Sequence, residues 1–283
     1  MTTAKTPLWR RLSWRNLLNR PENHEFDLPL PSTELRALVG VTDAVDFENP
    51  DCRPVFDDIS VSHYRSVFDF GCGCGRIARM LIQQEPRPER YVGVDLHRGM
   101  INWCIRNLTP AAPEFEFHHH DVFNLGLNPE GSREAVGFPI ADDSVTLFVA
   151  WSVFTHVSQA AAEFYLSELS RVLHPDGVAV TTWFLFDKTG FPMMQKFQNA
   201  LFINDVDPTN AVIFDFRWFE QIVGDNGLRI SKVTPPEVRG FQWVIQISPA
   251  KEGLEHVPFP EDVAPTGIVR PPLTPEGAAD FES

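Results

Sequence analysis

Three glycines at alternate positions in Asp69-Phe-Gly71-Cys-Gly73-Cys-Gly75-Arg76 constrain this chain more than any other feature. The loop follows a β-prone run, Ser66-Val-Phe-Asp-Phe70, and opens a segment in which Ile77, Met80 and Leu81 fall at helical spacing. Glycine permits the sharp turn from strand to helix and, lacking a Cβ, lets backbone come close to a ligand. A strand, glycine loop and helix in that order belong to sheets whose parallel strands are joined by crossover helices.

The same alternation continues downstream. Tyr91-Val-Gly-Val-Asp95 reads as a strand, and Met100, Ile101, Cys104, Ile105 and Leu108 mark the helix after it. Residues 114–118 form a weaker strand, and 144–150 an almost unbroken apolar run, as expected of a strand buried on both faces. A helix over 159–173, a strand over 178–183, a helix over 217–226 and strands over 228–233 and 241–248 complete the series. The expectation is one α/β domain over residues 55–250, a Rossmann-like, mostly parallel sheet with helices on both faces. Residues 1–54 read as an N-terminal arm and lid, containing one helix near residues 33–39, and residues 251–283 as a Pro-rich acidic tail. The connection over 187–213 is long and lies in a phenylalanine-rich stretch, so it reads as an apolar lid or a homodimer contact.

The residues around the loop narrow the ligand. A dinucleotide fingerprint wants a small residue five positions after its first glycine, where this chain has Arg76. Asp69 stands at the strand end, where a carboxylate repels pyrophosphate but pairs with an ammonium group. Asp95 ends the second strand, and a carboxylate there can accept both hydroxyls of a ribose. His120-Asp121-Val122 follows the third strand, within reach of an adenine amino group.

Charge then excludes a class of partner. The formal net charge of −14 sets the chain against phosphate backbones, so nucleic acid is not the expected substrate. The first 20 residues run the other way, with five bases and no acid, and Leu8 to Leu18 interleaves Trp and Leu with Arg. That stretch is either a packed capping helix or an amphipathic helix on an anionic membrane. No apolar run has the length of a signal peptide or of a membrane span. Cys52, Cys72, Cys74 and Cys104 lack the density of a disulfide scaffold, which fits a reducing cytoplasm.

The set of motifs resembles the class I S-adenosylmethionine-dependent methyltransferases. Residues 67–76, Gly93-Val-Asp95, His120-Asp-Val122, residues 148–156 and residues 171–177 match in family order. The resemblance implies a seven-stranded sheet with an antiparallel final strand, and S-adenosylmethionine as donor with S-adenosylhomocysteine as product. Carried over, Asp69, Gly71, Gly73 and Gly75 would cradle the methionine part and Asp95 the ribose. Leu96, Asp121 and Val122 would contact the adenine, and Trp151 would lie beside the sulfonium.

A hydroxyl acceptor must lose a proton, and His156, after the fourth strand, is the candidate base; its alternative is to cap the following helix. Tyr64, Trp14 and Phe191 are candidate substrate contacts. His118 and His120 on one strand face could bind a metal, and the Asp142–Asp143 pair could bind Mg²⁺, although packing and turn formation explain both. The expected function is O-methylation of a small hydroxyl acceptor, with a saccharide or glycan precursor favoured by analogy. A lipid or natural-product acceptor is the runner-up, and the phenylalanine-rich insert favours it. A non-catalytic S-adenosylmethionine-binding module and a nicotinamide oxidoreductase are the competing classes.

Overall fold

The computed structural model describes residues 28–236 and 242–260. The readings placed on Trp14, on Leu8 to Leu18 and on the far tail lie outside the described residues. Five parallel strands make the centre of the sheet: β1 (Ser66–Phe70), β2 (Arg90–Asp95), β3 (Phe115–His119), β4 (Val145–Ala150) and β5 (Leu173–Phe186). They lie in the order β3-β2-β1-β4-β5. The sheet therefore grows one way from β1 and the other way from β4, which opens a crevice beyond their carboxyl ends.

Four helices cover this sheet, and a fifth, α1 (Thr33–Leu38), precedes it. The four are α2 (Arg76–Ile82), α3 (Arg98–Asn107), α4 (Gln159–Val172) and α5 (Phe216–Asp225). Because side chains alternate along a strand, each central strand feeds two cores. Val67, Leu147 and Val149 face Ile77, Leu81 and Ile101 of α2 and α3. Phe68, Phe148 and Ala150 face Tyr165, Leu166 and Phe219 of α4 and α5. All six residues of β4 are buried, which explains its unbroken apolar sequence.

The far edge enlarges the expectation. β6 (Ala200–Phe202) and β7 (Val212–Asp215) come from the long connection, followed by β8 (Leu228–Thr234) and β9 (Trp243–Pro249). β9 runs antiparallel to β5, with Ala179 opposite Ile247, and β8 pairs with β9 in turn. That gives a seven-stranded sheet with one reversed strand. The end of β5, Phe184 to Phe186, extends past β9 and pairs with β7, which carries β6. The sheet thus has nine strands. Val212-Ile-Phe-Asp215 is strand-prone sequence that finds an open edge, so part of the expected lid is sheet.

Arg79 ties the arm to the domain. Buried in α2, it donates to the carbonyls of Leu28, Pro29 and Phe47 and pairs with Glu48 at 2.8 Å. This fixes residues 28–48 over the glycine loop, where Val39 packs with Phe47, Cys74 and Met100.

Candidate active site

A cleft of about 1180 Å³ lies beyond the carboxyl ends of the central strands. A single small-molecule site usually takes roughly 300–1,000 Å³, so two ligands can lie here side by side. The half beyond β1 to β3 is lined by Asp69, Gly71, Gly73, Arg76, Asp95, Leu96, His120 and Val122. Trp151, Ser152, His156, Thr182 and Gln242 line the half beyond β4 and β5. Asp207, Thr209 and Asn210 reach that half from the insert.

The glycine loop is held open by its neighbours. Gly71 and Gly73 have φ of +78° and +55°, and side chains at these positions would stand 2.3 Å from Val153 Cγ2 and 2.6 Å from Val39 Cγ1. The close approach needed at these positions is therefore to the protein's own residues as well as to any ligand. Gly75 caps α2 at φ +80° and faces Leu108 and Cys104 of the α3 region. It serves helix packing and does not line the cleft, unlike the role expected for it.

One carboxylate oxygen at the floor has no hydrogen-bond partner. Asp69, 1% exposed, accepts the Tyr91 hydroxyl at 2.7 Å through Oδ2, while its buried Oδ1 has no partner. Burial pushes its carboxyl up to about 7, against the opposing pull of the Tyr91 hydroxyl and Arg76. Arg76, whose affinity for its proton is lowered by burial, lies within electrostatic reach of Asp46 and Asp69. Asp95 accepts Gly73 N–H at 2.9 Å through Oδ2 and His97 N–H at 2.7 Å through Oδ1. Burial raises its pKa, and these two hydrogen bonds oppose the rise. Each oxygen keeps a lone pair for a further donor.

After β3 the expected assignments move by one residue. Asp121 has a side chain 59% exposed, accepts Asn128 Nδ2 at 3.1 Å and does not line the cleft. His120 turns inward instead. Its Nε2 lies 2.8 Å from the Tyr165 hydroxyl, and burial drives its pKa down to about 4, leaving a neutral ring. His118 is exposed beside Glu116 while His120 is buried, so the two do not share a face. β3 ends at His119, and the alternation that would have paired them ends with it. Asp142 pairs with Arg171 at 2.6 Å and Asp143 occupies a turn at φ +53°. No group of three or more metal-ligating side chains occurs among the described residues.

The loop after β4 carries the reactive side chains. Trp151 is half-buried against Phe56. Ser152 adopts φ +58°, a conformation costing a non-glycine residue about 1–3 kcal/mol. Its N–H donates to Thr182 Oγ1 at 2.7 Å, and Gln242 Nε2 donates to its hydroxyl at 2.8 Å. The turn Phe154–His156 is anchored by Phe154 stacked on Trp183 at 4.2 Å and presents His156 to the cleft. His156 Nδ1 lies 3.2 Å from the carbonyl oxygen of Thr209. A carbonyl only accepts, so Nδ1 carries the proton and Nε2 is left as the basic nitrogen.

Two expected substrate contacts are elsewhere. Tyr64 is buried, its hydroxyl accepting Phe56 N–H at 2.7 Å and donating to Phe56 C=O at 3.2 Å. Phe191 is 47% exposed, packs on Phe186 and lines no part of the cleft. Its aromatic character serves the insert's own surface.

The sequence profile of the methyltransferase domain family matches residues 67–177, from β1 to the turn before the buried half of β5. Over that stretch the chain is similar to a methyltransferase domain. The chain is also similar to several solved structures. One is a TehB-like S-adenosylmethionine-dependent methyltransferase from Corynebacterium glutamicum, at 19% identity over 66% of this chain and 82% of that one, TM-score 0.42. A Listeria monocytogenes protein described as an S-adenosylmethionine-dependent methyltransferase shares 16% identity over 68% of this chain and 94% of that one, TM-score 0.48. An O-methyltransferase of neocarzinostatin biosynthesis shares 11% over 69% of this chain and 51% of that one, TM-score 0.45.

Several cleft residues carry little mark in the sequence. Arg76 is legible as a departure from the dinucleotide pattern, but its proximity to Asp46 and Asp69 arises only in the folded chain. Gln242 and Thr209 carry no local signal, because each reaches the cleft from a segment remote in sequence.

Proposed function

We propose that the methyltransferase moves a methyl group from S-adenosylmethionine to a hydroxyl of a small, neutral, polar acceptor, with a saccharide or glycan precursor favoured. The donor fits the residues present. The orphaned Asp69 Oδ1 meets an ammonium group, and Arg76 meets the carboxylate of the same amino acid. Asp95, with a lone pair free on each oxygen, accepts the ribose hydroxyls, while Leu96 and Val122 flank the adenine. Bound there, the donor supplies an electrophilic methyl on a sulfonium. Trp151 and Ser152 shape the passage between the two halves, where alignment and exclusion of water contribute most of the acceleration. His156 Nε2 would take the hydroxyl proton as the acceptor oxygen displaces the donor's thioether sulfur from the methyl carbon.

The acceptor reading is carried by the lining beyond β4 and β5. Ser152, Ser158, Thr182, Asp207, Thr209, Asn210 and Gln242 offer hydroxyl, amide and carboxylate groups there. Among the described residues the cleft's arginines are Arg76 and Arg133, the latter stacked on Phe123 after β3, and no lysine lines it. A phosphorylated acceptor has no cation to meet in the acceptor half. None of the phenylalanines over residues 184–216, the stretch that favours a lipid acceptor, lines the cleft, and Phe191, Phe197 and Phe202 are exposed outside it.

Calorimetry with S-adenosylhomocysteine and NAD⁺, then a methyl-transfer screen across neutral sugars, sugar phosphates and acyl lipids, tests the proposal. Tight S-adenosylhomocysteine binding, no NAD⁺ response and turnover on a neutral sugar are expected. Binding without turnover on any acceptor points to the non-catalytic module, and NAD⁺ binding to the oxidoreductase.

A further inference from the structure

The sheet has a second hollow at its opposite end. The irregular segment Pro175 to Gly177 of β5, the segment before β1, the start of β8 and the end of β9 enclose about 470 Å³. These all stand at the amino ends of the parallel strands, whereas the methyl-transfer cleft stands at the carboxyl ends.

The acids of this hollow are already neutralised. Asp58 accepts Lys232 Nζ and also Gln246 Nε2 at 2.8 Å, and Asp176 pairs with Lys251 at 2.8 Å. Arg229 differs. It lines the hollow from β8, its Nε is buried without a hydrogen-bond partner, and no carboxylate among the described residues forms an ion pair with it. Arg229 is half-buried, and a buried N–H left unmet on it is costly and calls for an explanation. Hydroxyl and imidazole groups line the same hollow. A β-bulge falls at Ser231, between Ile230 and Lys232, so this residue is excess to the ladder. Its hydroxyl accepts that of Ser248 at 3.2 Å, and Ser60 and His63 also line the hollow. Bulges of this kind re-aim side chains beside binding sites.

We propose that this hollow binds a small molecule bearing a phosphate or carboxylate, with Arg229 as its principal contact. The planar guanidinium fork matches either oxyanion in a two-point contact, and Ser231, whose own hydroxyl proton is not spent on Ser248, supplies a hydroxyl donor. In a chain of net charge −14, long-range attraction of anions is absent, so affinity comes from contact inside the hollow. The site is independent of methyl transfer.

Inorganic phosphate and citrate are the probes, read by thermal shift and calorimetry on the full chain. Saturable binding of at least one is expected, with a rise in melting midpoint that follows occupancy. Arg229→Gln should lose tenfold or more in that affinity with an unchanged far-UV circular dichroism spectrum. Ser231→Asp keeps the arginine but gives it an internal carboxylate. It should abolish anion binding and raise the ligand-free midpoint, which decides the matter even if Arg229→Gln does not fold. Absence of binding by both probes in the wild type, or binding unaffected by Ser231→Asp, overturns the site.

Discussion

Replacing Asp69 by Asn removes a charge while keeping the shape, and its effects on stability and on binding should have opposite signs. The wild-type carboxyl is buried, has a pKa of about 7 and keeps Oδ2 on the Tyr91 hydroxyl. An acid whose folded pKa lies above its unfolded value stabilises the fold below the unfolded pKa and loses that contribution as pH rises to the folded one. The interval between 3.8 and about 7 corresponds to roughly 4 kcal/mol as an upper figure, lost by pH 8. The amide oxygen of Asn still accepts from Tyr91 and carries no charge. Ligand-free Asp69→Asn should therefore be more stable than wild type at pH 8, and nearly equal to it at pH 4. Binding should go the other way. The pair with the donor's ammonium group is worth about 1.5–3 kcal/mol, so S-adenosylhomocysteine affinity should fall roughly 10- to 150-fold at pH 8. In the wild type the carboxyl must ionise to bind, so affinity should rise about tenfold per pH unit from 5 to 7 and then level. In Asp69→Asn the same curve should be flat. Urea unfolding and calorimetry across this range measure both quantities. Unchanged affinity at pH 8, or a flat wild-type curve, would refute the ammonium contact. A destabilised variant at pH 8 would refute the burial argument.

Other substitutions separate chemistry from scaffold. His156→Ala should cut turnover by about 10²–10⁴-fold and leave S-adenosylhomocysteine affinity unchanged in calorimetry; undiminished turnover would move the base elsewhere. Asp95→Asn places an amide N–H₂ against the Gly73 or His97 N–H, so donor affinity should fall about tenfold or more, measured by the same titration. Tyr64→Phe strands the Phe56 N–H in the core and should cost about 1–3 kcal/mol in urea unfolding, with donor affinity intact; altered acceptor kinetics would restore its substrate role. Gly71→Ala adds a Cβ 2.3 Å from Val153 Cγ2 at φ +78°, so melting midpoint and donor affinity should fall together.

The fold was legible because burial on two faces writes itself into sequence. β1, β2 and β4 are short apolar runs, and the helices between them keep an apolar stripe, so the α/β order follows from periodicity. The two strands of the insert were not legible. Val212 to Asp215 becomes a strand because β5 overruns β9 and leaves an edge to pair with. Asp69 and Asp95 line the cleft where strand ends put them. Asp121 and Tyr64 do not, because the chain turns after β3 and because a buried hydroxyl takes the nearest backbone partners.

The glycine loop by itself determined a strand, a tight turn and a helix, since only glycine holds three positive φ angles there at little cost. Tertiary structure alone decided what that loop faces. Val39 is brought over it by Arg79, and Thr209 reaches His156 across 53 positions of chain to select its basic nitrogen. Local conformation is set by neighbours in sequence. The protonation of Asp69 and the tautomer of His156 are set by burial and by partners that only the folded chain assembles.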